Sequence, residues 1–292
     1  MVISHILGGI GNQMFQYAAG RALSLSSAQQ LQLDLSDFSK YRLHNGYELS
    51  RVFNVTAESA SASTMHEMLG WRANRWSKRV LRRPQFAGLR GRRFTVEPHF
   101  NYWPDFINLK SDCYLYGYWQ SEKYFKAFKN DIRRDFTFRE PLSGLNGELA
   151  LEMANTQSVS LHVRRGDYVS NSKNSNVLEV CSAEYYRKAI DYVTERVEHP
   201  VLYVFSDDME WVKQNLSMGL SCVYVDHNRK ANSYRDMQLM SLCRHHVIAN
   251  SSFSWWGAWL NANAEKLVIA PKSWFRNGND DRDLIPDEWV RL

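Results

Sequence analysis

The sequence predicts an α/β fold made of two halves, each built on a parallel sheet, and three observations support this prediction. After residue 157, five short apolar runs rich in β-branched residues alternate with amphipathic stretches of helical length. The chain also opens with an apolar run over 2–7, a glycine-rich turn and a helical stretch over 12–25. A stretch with proline and glycine between 139 and 157 separates the two patterns, so we expect domains over 1–150 and 151–292.

The second half has the clearer pattern. Its apolar runs predict strands over 159–163, 201–205, 222–225, 247–249 and 267–270. Amphipathic stretches predict helices over 183–196, 210–216, 234–244 and 254–262. Right-handed crossovers at this spacing produce a doubly wound, Rossmann-like sheet, which binds ligands at the carboxyl ends of its strands.

The first half has fewer recognisable elements. Alternating residues predict a second strand over 31–35, and a third strand over 113–119 precedes a helix over 121–132. Residues from about 40 to 110 show no regular pattern. Two Rossmann-like halves that face a cleft are the simplest architecture for this order of elements.

Composition narrows the class of protein. The chain has 292 residues, of which 44% are apolar and 23% charged, as is typical of a soluble globular enzyme. It contains no apolar run near 18 residues and no signal peptide pattern, so we expect a cytoplasmic protein. Its four cysteines, Cys113, Cys181, Cys222 and Cys243, are widely spaced, which predicts reduced thiols and no zinc site.

The first motif is the glycine-rich turn that follows the opening strand. Gly9 and Gly11 allow the backbone to turn tightly and to approach a ligand, and the helix N-terminus that follows attracts anions. The amides of Asn12 and Gln13 can bind polyols or phosphates. No lysine follows as in a phosphate-binding P-loop, and a tight strand-to-helix turn without a ligand explains the glycines equally well.

The second motif, His162 to Asp167, lies at the carboxyl end of a predicted strand. Arg164 and Arg165 are adjacent, and guanidinium groups match phosphate oxygens in bidentate geometry. His162 and Arg164 point to the same side of the strand because side chains alternate with a period of two. The alternative is a surface cluster of ion pairs with Asp167.

The third motif combines Asn250, Ser251, Ser252 and Phe253 where a predicted strand gives way to a helix. Hydroxyl groups and unpaired backbone N–H groups at such a position form an anion cradle. Plain N-capping is the alternative, although it accounts for a single serine. The tryptophans at 255, 256 and 259 are expected in the core.

Two acidic motifs give weaker signals. Residues 206–208, Ser-Asp-Asp, are predicted to cap a helix. Residues 281–283, Asp-Arg-Asp, match a pattern that holds metal-bound diphosphates in some enzymes, but the surrounding polar residues predict a solvated loop.

Together these motifs resemble the inverting, GDP-fucose-dependent α-1,2-fucosyltransferases of the bacterial type, which are GT-B-like enzymes. The similarity is collinear along nearly the whole chain, through residues 8–17, 117–125, 162–167, 205–211 and 250–256. The resemblance implies that Arg164 holds the β-phosphate of GDP, with Arg165 and His162 beside the nucleotide. It also implies that Asp236 recognises guanine, that residues 250–253 bind phosphate, and that Asn12 faces donor and acceptor.

The resemblance also implies the reaction. L-Fucose would pass from GDP-β-L-fucose to the 2-hydroxyl of a terminal galactoside, in a surface glycan that is free or lipid-linked, without a metal or another cofactor. Arg164 would stabilise the leaving group and Asn12 would face the reacting groups. Asp167, Glu122 or another acid of the first half would act as base, unless a loose mechanism driven by the leaving group needs no strong base. Another GDP-sugar transferase and a non-catalytic sugar-nucleotide or glycan-binding module are the alternatives.

A basic segment over 68–96 contains no acidic residue. An apolar stripe at helical spacing accompanies it, formed by Met65, Leu69, Ala73, Trp76 and Val80. A basic amphipathic helix with tryptophan is typical of a membrane-surface element, so we expect peripheral contact with an anionic membrane. The alternative is a helix that packs this stripe on the core. Nucleic acid is not predicted as a partner, because no nucleic-acid motif accompanies the segment. Its nine basic residues are Arg72, Arg75, Lys78, Arg79, Arg82, Arg83, Arg90, Arg92 and Arg93.

Overall fold

The computed structural model describes residues 1–40, 45–109, 112–166, 180–276 and 280–292. The chain divides into two compact units. The first unit comprises Met1–Arg139 and Arg282–Leu284, and the second comprises Glu140–Asp281 and Ile285–Leu292. The division thus falls before the boundary that we expected after residue 150.

Helix Gly144–Ala154 explains the position of this division. Its Leu149 and Met153 are buried in a cluster with Tyr203 and Phe205 of the second unit. Because burial of apolar side chains decides which unit a helix joins, the second unit begins before this helix.

The first unit contains a five-stranded sheet in which all neighbouring strands are parallel. The strands are β1 (Val2–His5), β2 (Leu31–Asp34), β3 (Glu58–Ser59), β4 (Phe94–Val96) and β5 (Cys113–Tyr116), in the spatial order β3-β2-β1-β5-β4. The helices are α1 (Ile10–Ser26), α2 (Leu49–Val52), α3 (Ala62–Leu69), α4 (Arg75–Leu81) and α5 (Lys129–Asp135). Strands β3 and β4 lie in the stretch where the sequence showed no regular pattern.

The basic segment does not form the single amphipathic helix that we expected. Helix α3 ends at Gly70, whose φ of 58° interrupts the helix, and α4 begins after Asn74, whose side chain accepts from the backbone N–H of Trp76. A short 3₁₀ turn, Gly70–Ala73, separates the two helices. The predicted stripe is divided as a result: Met65 and Leu69 are buried, whereas Trp76 is 73% exposed.

Helix α4 is attached to the sheet by buried charges. Lys78 Nζ lies 2.6 Å from Asp34 Oδ2, and both side chains are 3% exposed. The hydroxyl of Tyr114 also donates to Asp34 Oδ2, at 2.8 Å, and His5 Nδ1 lies 3.2 Å from the same oxygen. Burial opposes ionisation of Asp34, but His5 and Lys78 outweigh it and hold the pKa of this carboxyl below its ordinary value.

The helix expected over 121–132 is also interrupted. Two 3₁₀ turns, Glu122–Tyr124 and Lys126–Phe128, precede α5. Phe125, which joins the two turns, has an extended φ of −135° and is completely buried. Packing of this aromatic side chain therefore overrides the helical periodicity of the segment.

The second unit contains a six-stranded sheet in the order β11-β10-β9-β6-β7-β8, with every neighbouring pair parallel. This is the doubly wound order that we predicted. The strands are β6 (Gln157–Val163), β7 (Pro200–Ser206), β8 (Ser221–Val225), β9 (His245–Val247), β10 (Val268–Ala270) and β11 (Val290–Arg291). The helices are α6 (Gly144–Ala154), α7 (Ala183–Thr194), α8 (Met209–Asn215), α9 (Tyr234–Met240) and α10 (Ser252–Leu260).

Both faces of the second sheet are covered by apolar side chains, in one cluster with α7 and another with α6 and α9. The prediction for the tryptophans of α10 is confirmed, because Trp255, Trp256 and Trp259 are buried. All four cysteines are free thiols, and Cys222 is half-buried. In the described part of the chain, no helix is long and apolar enough to cross a membrane.

Candidate active site

The candidate site lies where the order of strands reverses in the second sheet. Strand β6 is the middle strand of the unit, and β7 and β9 pair with its two sides. In doubly wound sheets, ligands bind in a crevice at the carboxyl ends of the strands where the strand order reverses. Contacts join three segments there: the end of β6, the segment after β7 and the start of α10.

Asp207, which follows β7, organises the segment that contains Arg164. Its carboxylate accepts from the backbone N–H groups of Arg165 at 2.9 Å and Gly166 at 3.0 Å. It also lies 3.1 Å from Arg164 Nη1. A Cβ at Gly166 would come within 2.9 Å of Asp207 Oδ2, so a side chain here would disturb the contact. The carboxylate therefore fixes both the backbone and the direction of the Arg164 guanidinium.

The sequence motif did not reveal this role of Asp207. The capping residue of the Ser-Asp-Asp motif is Asp208, whose side chain accepts from the backbone N–H of Trp211 at 3.2 Å. A second carboxylate at the end of a strand beside β6 was the signal that could have identified Asp207.

The adjacent arginines are held in different ways. The Arg165 guanidinium stacks over the indole ring of Trp211 at 3.8 Å, with its Nε 3.6 Å from Asp208. This contact attaches the end of β6 to α8, so Arg165 has a packing role. A phosphate contact for Arg165 stays a prediction, and Arg164 is the stronger candidate.

His162 is buried beside the site, and its ring centroid lies 5.9 Å from that of Phe253. Burial and the positive charge of Arg164 lower the pKa of the imidazole to about 3. Within the described residues, its Nδ1 has no hydrogen-bond partner. A neutral imidazole therefore stands next to Arg164 at neutral pH.

In the turn before α10, some residues make structural contacts and others lie at the start of the helix. Asn250 is buried, and its amide donates to the carbonyl of Trp274 at 3.1 Å, which is a structural contact that we did not predict. Ser251 caps the helix by accepting from the backbone N–H of Phe253 at 3.3 Å. N-capping therefore accounts for Ser251, while Ser252 begins the helix, where backbone N–H groups lack intrahelical acceptors.

Asp236, the predicted guanine contact, lies in the first turn of α9. Its Oδ1 accepts from the side-chain amide of Asn228 at 2.8 Å. Burial raises the pKa of this carboxyl to about 7, although the hydrogen bond from Asn228 and the charge of Arg229 oppose the rise. A desolvated carboxylate of this kind is suited to accept hydrogen bonds from a ligand.

In the first unit, the glycine-rich turn occupies the carboxyl end of β1. Gly9 is the N-cap of α1, and Asn12 Oδ1 accepts from Gln120 Nε2 at 2.7 Å. Gln13 corrects a prediction, because it is fully buried and structural. Its amide donates to the carbonyls of Gly8 and Gly46 at 2.9 and 2.8 Å, which leaves Asn12 as the ligand candidate of the pair.

Glu97 is a functional candidate that the sequence analysis did not identify. Its carboxylate accepts from the backbone N–H groups of Tyr118 at 2.7 Å and Trp119 at 3.0 Å. Trp119 has a φ of 54°, a conformation that needs such support. Burial raises the pKa of Glu97 to about 7, against the two hydrogen bonds. The run Phe-Thr-Val directly before Glu97 forms β4. This strand-forming run was the sequence signal that Glu97 follows a strand.

Other acidic candidates have structural partners or cannot be placed. Glu122 Oε1 lies 2.9 Å from Lys126 Nζ. Asp281 accepts from the backbone N–H of Trp274, and Asp283 lies 2.6 Å from Lys123 Nζ. The prediction of a solvated loop over 281–283 is therefore wrong. Asp167 lies outside the described residues. Within the described ranges, no group of three or more His, Cys, Asp or Glu side chains could hold a metal ion.

The doubly wound sheet, with a guanidinium and a helix N-terminus at its strand-order reversal, has the architecture of a nucleotide-binding α/β enzyme. A solved structure shares this fold. The chain aligns with NodZ α-1,6-fucosyltransferase soaked with GDP-fucose at a TM-score of 0.53 and 13% identity, over 89% of this chain and 91% of that one. The similarity shows a GT-B-like fold.

The sequence comparisons identify the family. The profile of glycosyl transferase family 11 matches residues 102–292. An α-1,2-colitosyltransferase of Escherichia coli is 36% identical over 100% of this chain and 99% of its own length. The O-antigen biosynthesis glycosyltransferase WbnK of Escherichia coli is 34% identical over 99% of each chain. Human galactoside α-(1,2)-fucosyltransferase 1 is 31% identical over 61% of this chain and 52% of its own. This chain therefore belongs to glycosyl transferase family 11, the α-1,2-fucosyltransferase family, and is a glycosyltransferase.

Proposed function

We propose that this protein transfers L-fucose from GDP-β-L-fucose to the 2-hydroxyl of a terminal galactoside, with inversion at the anomeric carbon. The observation that carries the proposal is the placement of Arg164. Its guanidinium stands at the carboxyl end of β6, directed by Asp207, in the crevice where such sheets bind nucleotides. The name of the human relative supports the galactoside and the linkage.

Charge development explains what this arrangement contributes. Departure of GDP leaves negative charge growing on its β-phosphate, while the fucose C1 gains oxocarbenium character. A guanidinium that is already oriented stabilises that charge more in the transition state than in the ground state. The backbone N–H groups at the start of α10 add positive potential, so we propose that transfer needs no metal ion.

Neutral groups around Arg164 would leave its guanidinium as the main positive charge beside the leaving group. His162 adds no positive charge, since its pKa of about 3 keeps the ring neutral at physiological pH. We propose that His162 and Phe253, which lie beside each other, shape the pocket for the nucleotide. The acceptor hydroxyl loses its proton in the reaction, and Glu97 joins the candidates for its base because a pKa of about 7 suits that task.

A pH-dependent affinity for GDP is expected if Asp236 accepts from guanine N1–H and its exocyclic amine. The carboxyl must be ionised to accept both hydrogen bonds, and its pKa is about 7. GDP binding should therefore strengthen roughly tenfold between about pH 6 and about pH 8. Calorimetric titration of wild type and Asp236→Asn checks this, since the variant should bind weakly at both pH values. An equal pH dependence in the two proteins would show that another group causes it.

The donor sugar has one specific alternative. The colitosyltransferase relative is 36% identical over the whole of this chain, which favours a second candidate function, transfer of colitose. Colitose is the 3-deoxy form of L-fucose, so the two donors differ by one hydroxyl group. A site that hydrogen-bonds this hydroxyl rejects the deoxy sugar strongly, whereas an apolar site accepts it.

A product assay tests the proposed function. The protein is incubated with a β-galactoside disaccharide, EDTA and either GDP-fucose or GDP-colitose, and the product is analysed by NMR. We expect an α-1,2-linked fucosyl product at an undiminished rate in EDTA. Preferential use of GDP-colitose would establish the alternative donor, and loss of transfer in EDTA with rescue by Mg²⁺ would contradict metal independence. Binding of GDP-fucose without turnover on any galactoside would favour a non-catalytic module.

A further inference from the structure

The basic segment presents a surface in which arginines surround exposed apolar side chains. Trp71, Trp76 and Leu89 are 55%, 73% and 51% exposed, and Val80 is also exposed. We call this segment, residues 70–93, the arginine–tryptophan surface. Because exposed apolar side chains rimmed by polar residues often mark an interaction site, the surface is a candidate for binding.

Helix α4 shows that this exposure is built into the fold. Its inward side carries Lys78, attached to Asp34, and the buried Leu81. Its outward side carries Trp76 and Val80 among exposed arginines. The helix is therefore anchored through one side while its other side keeps both apolar and cationic groups in solvent. The exposed arginines of and directly after this helix are Arg75, Arg79 and Arg83.

A pocket of about 360 Å³ lies within the same surface. Four arginines line it, together with Met68, Leu69, Gly70 and Gly91. Backbone contacts hold two of them: Arg72 Nε donates to the carbonyl of Leu89 at 2.6 Å, and Arg90 Nε to that of Leu81 at 2.8 Å. The lining arginines are Arg72, Arg90, Arg92 and Arg93.

Trp71 connects the pocket to the exposed apolar side chains. The Arg72 guanidinium lies 4.8 Å from the centroid of the Trp71 ring. A cationic side chain of the pocket lining is therefore in contact with an exposed aromatic side chain. The segment 68–96 itself supplies no carboxylate. Among the described residues, Asp112 forms an ion pair with a lining arginine, at 4.0 Å from Arg93, and it is also paired with the N-terminus. The surface therefore presents a concentrated positive potential.

We propose that the arginine–tryptophan surface binds an anionic phospholipid bilayer, with the pocket receiving a lipid phosphate and Trp71, Trp76 and Leu89 entering the headgroup region. Arginine forks match phosphate oxygens, and tryptophan favours the membrane interface because its ring is apolar with one polar N–H. Nucleic acid would also satisfy the arginines. It would not explain the exposed Leu89 and Val80, which gain free energy in an apolar environment.

Vesicle co-sedimentation of the whole protein tests this proposal without any enzymatic readout. Vesicles of phosphatidylcholine alone are compared with vesicles that also contain phosphatidylglycerol. We expect binding at least about tenfold tighter to the anionic vesicles, weakened by salt. Arg92→Gln/Arg93→Gln should lose most of this preference. Trp71→Ala/Trp76→Ala should weaken binding to both vesicle types, because it removes the inserted groups.

Matched controls distinguish binding by this surface from nonspecific binding through other positive charges or exposed apolar side chains. Arg187→Gln/Lys188→Gln removes two exposed positive charges from α7, and Leu151→Ala removes a 70% exposed apolar side chain from α6. Both should bind vesicles as wild type does. Equal recovery with the two vesicle types, or equal effects of the control and surface variants, would overturn the proposal. Stronger binding to a uridine RNA homopolymer than to anionic vesicles, unaffected by loss of the tryptophans, would also overturn it.

Discussion

Replacement of Arg164 by alanine is expected to lower kcat by about 10² to 10³-fold, which corresponds to about 3 to 4 kcal/mol of lost transition-state stabilisation. The guanidinium stands at the carboxyl end of β6, and Asp207 directs it from the neighbouring strand. Its loss removes a preorganised positive charge where the proposed leaving group becomes negative. GDP binding should weaken far less than the rate falls, because the charge on the departing phosphate is larger in the transition state.

The measurement combines transfer kinetics with GDP binding by calorimetry. Arg187→Ala, which removes an exposed arginine from α7, is the matched control and should keep the wild-type rate. Arg164→Lys should recover part of the rate, since it restores the charge without the bidentate geometry. An Arg164→Ala enzyme with wild-type kcat and only weaker GDP affinity would assign this residue to ground-state binding alone.

Replacement of Lys78 by methionine is expected to lower the free energy of unfolding by about 3 kcal/mol. The substitution keeps most of the volume but removes the ammonium group 2.6 Å from Asp34, and both side chains are only 3% exposed. Asp34 would retain His5 and Tyr114 as partners, but the buried carboxylate would lose its contact with the ammonium group. Urea denaturation followed by circular dichroism measures the loss.

Arg79→Met is the control for this prediction, because Arg79 is the exposed neighbour on the same helix. It should change the free energy of unfolding by no more than about 0.5 kcal/mol. The folded-state pKa of Asp34 is below its ordinary value, so the contribution of the carboxylate is present at neutral pH and is lost as the pH falls below about 4. The loss of unfolding free energy in Lys78→Met should therefore become smaller in acid. A loss at neutral pH equal to that of Arg79→Met would contradict a stabilising role for the pair.

The sequence predicted the fold of the second unit well because its strands have a simple local signature. Val201 to Phe205 and the apolar runs of β6 and β10 are buried in a parallel sheet, so each is recognisable without its neighbours. Strands β3 and β4 gave no such signal. They have two and three residues, and only pairing with β2 and β5 makes them strands.

The candidate site was predicted in part. Arg164 was a candidate because of its chemistry at a strand end, whereas Asp236 was named through the family resemblance, and ligand binding by both stays a prediction. Asn250 and Gln13 could not be separated from ligand-binding amides in the same way, since their partners, the carbonyls of Trp274 and Gly46, lie 24 and 33 residues away. Asp207 and Glu97 were missed because their partners are backbone N–H groups, so only their positions directly after strands could have identified them.

The sequence alone determined the α/β class and the doubly wound second half, and it made Arg164 the leading candidate to bind phosphate. These conclusions depend on local patterns and on residue chemistry. Tertiary structure decided which polar side chains turn inward, where helices break, and which side of the basic segment stays exposed. Lys78 and Trp76 show the reason: they lie two residues apart on one helix, yet one is buried against Asp34 and the other is 73% exposed. Which side of a short helix is buried depends on the partner it meets, and here that partner is a carboxylate 44 residues away in the chain.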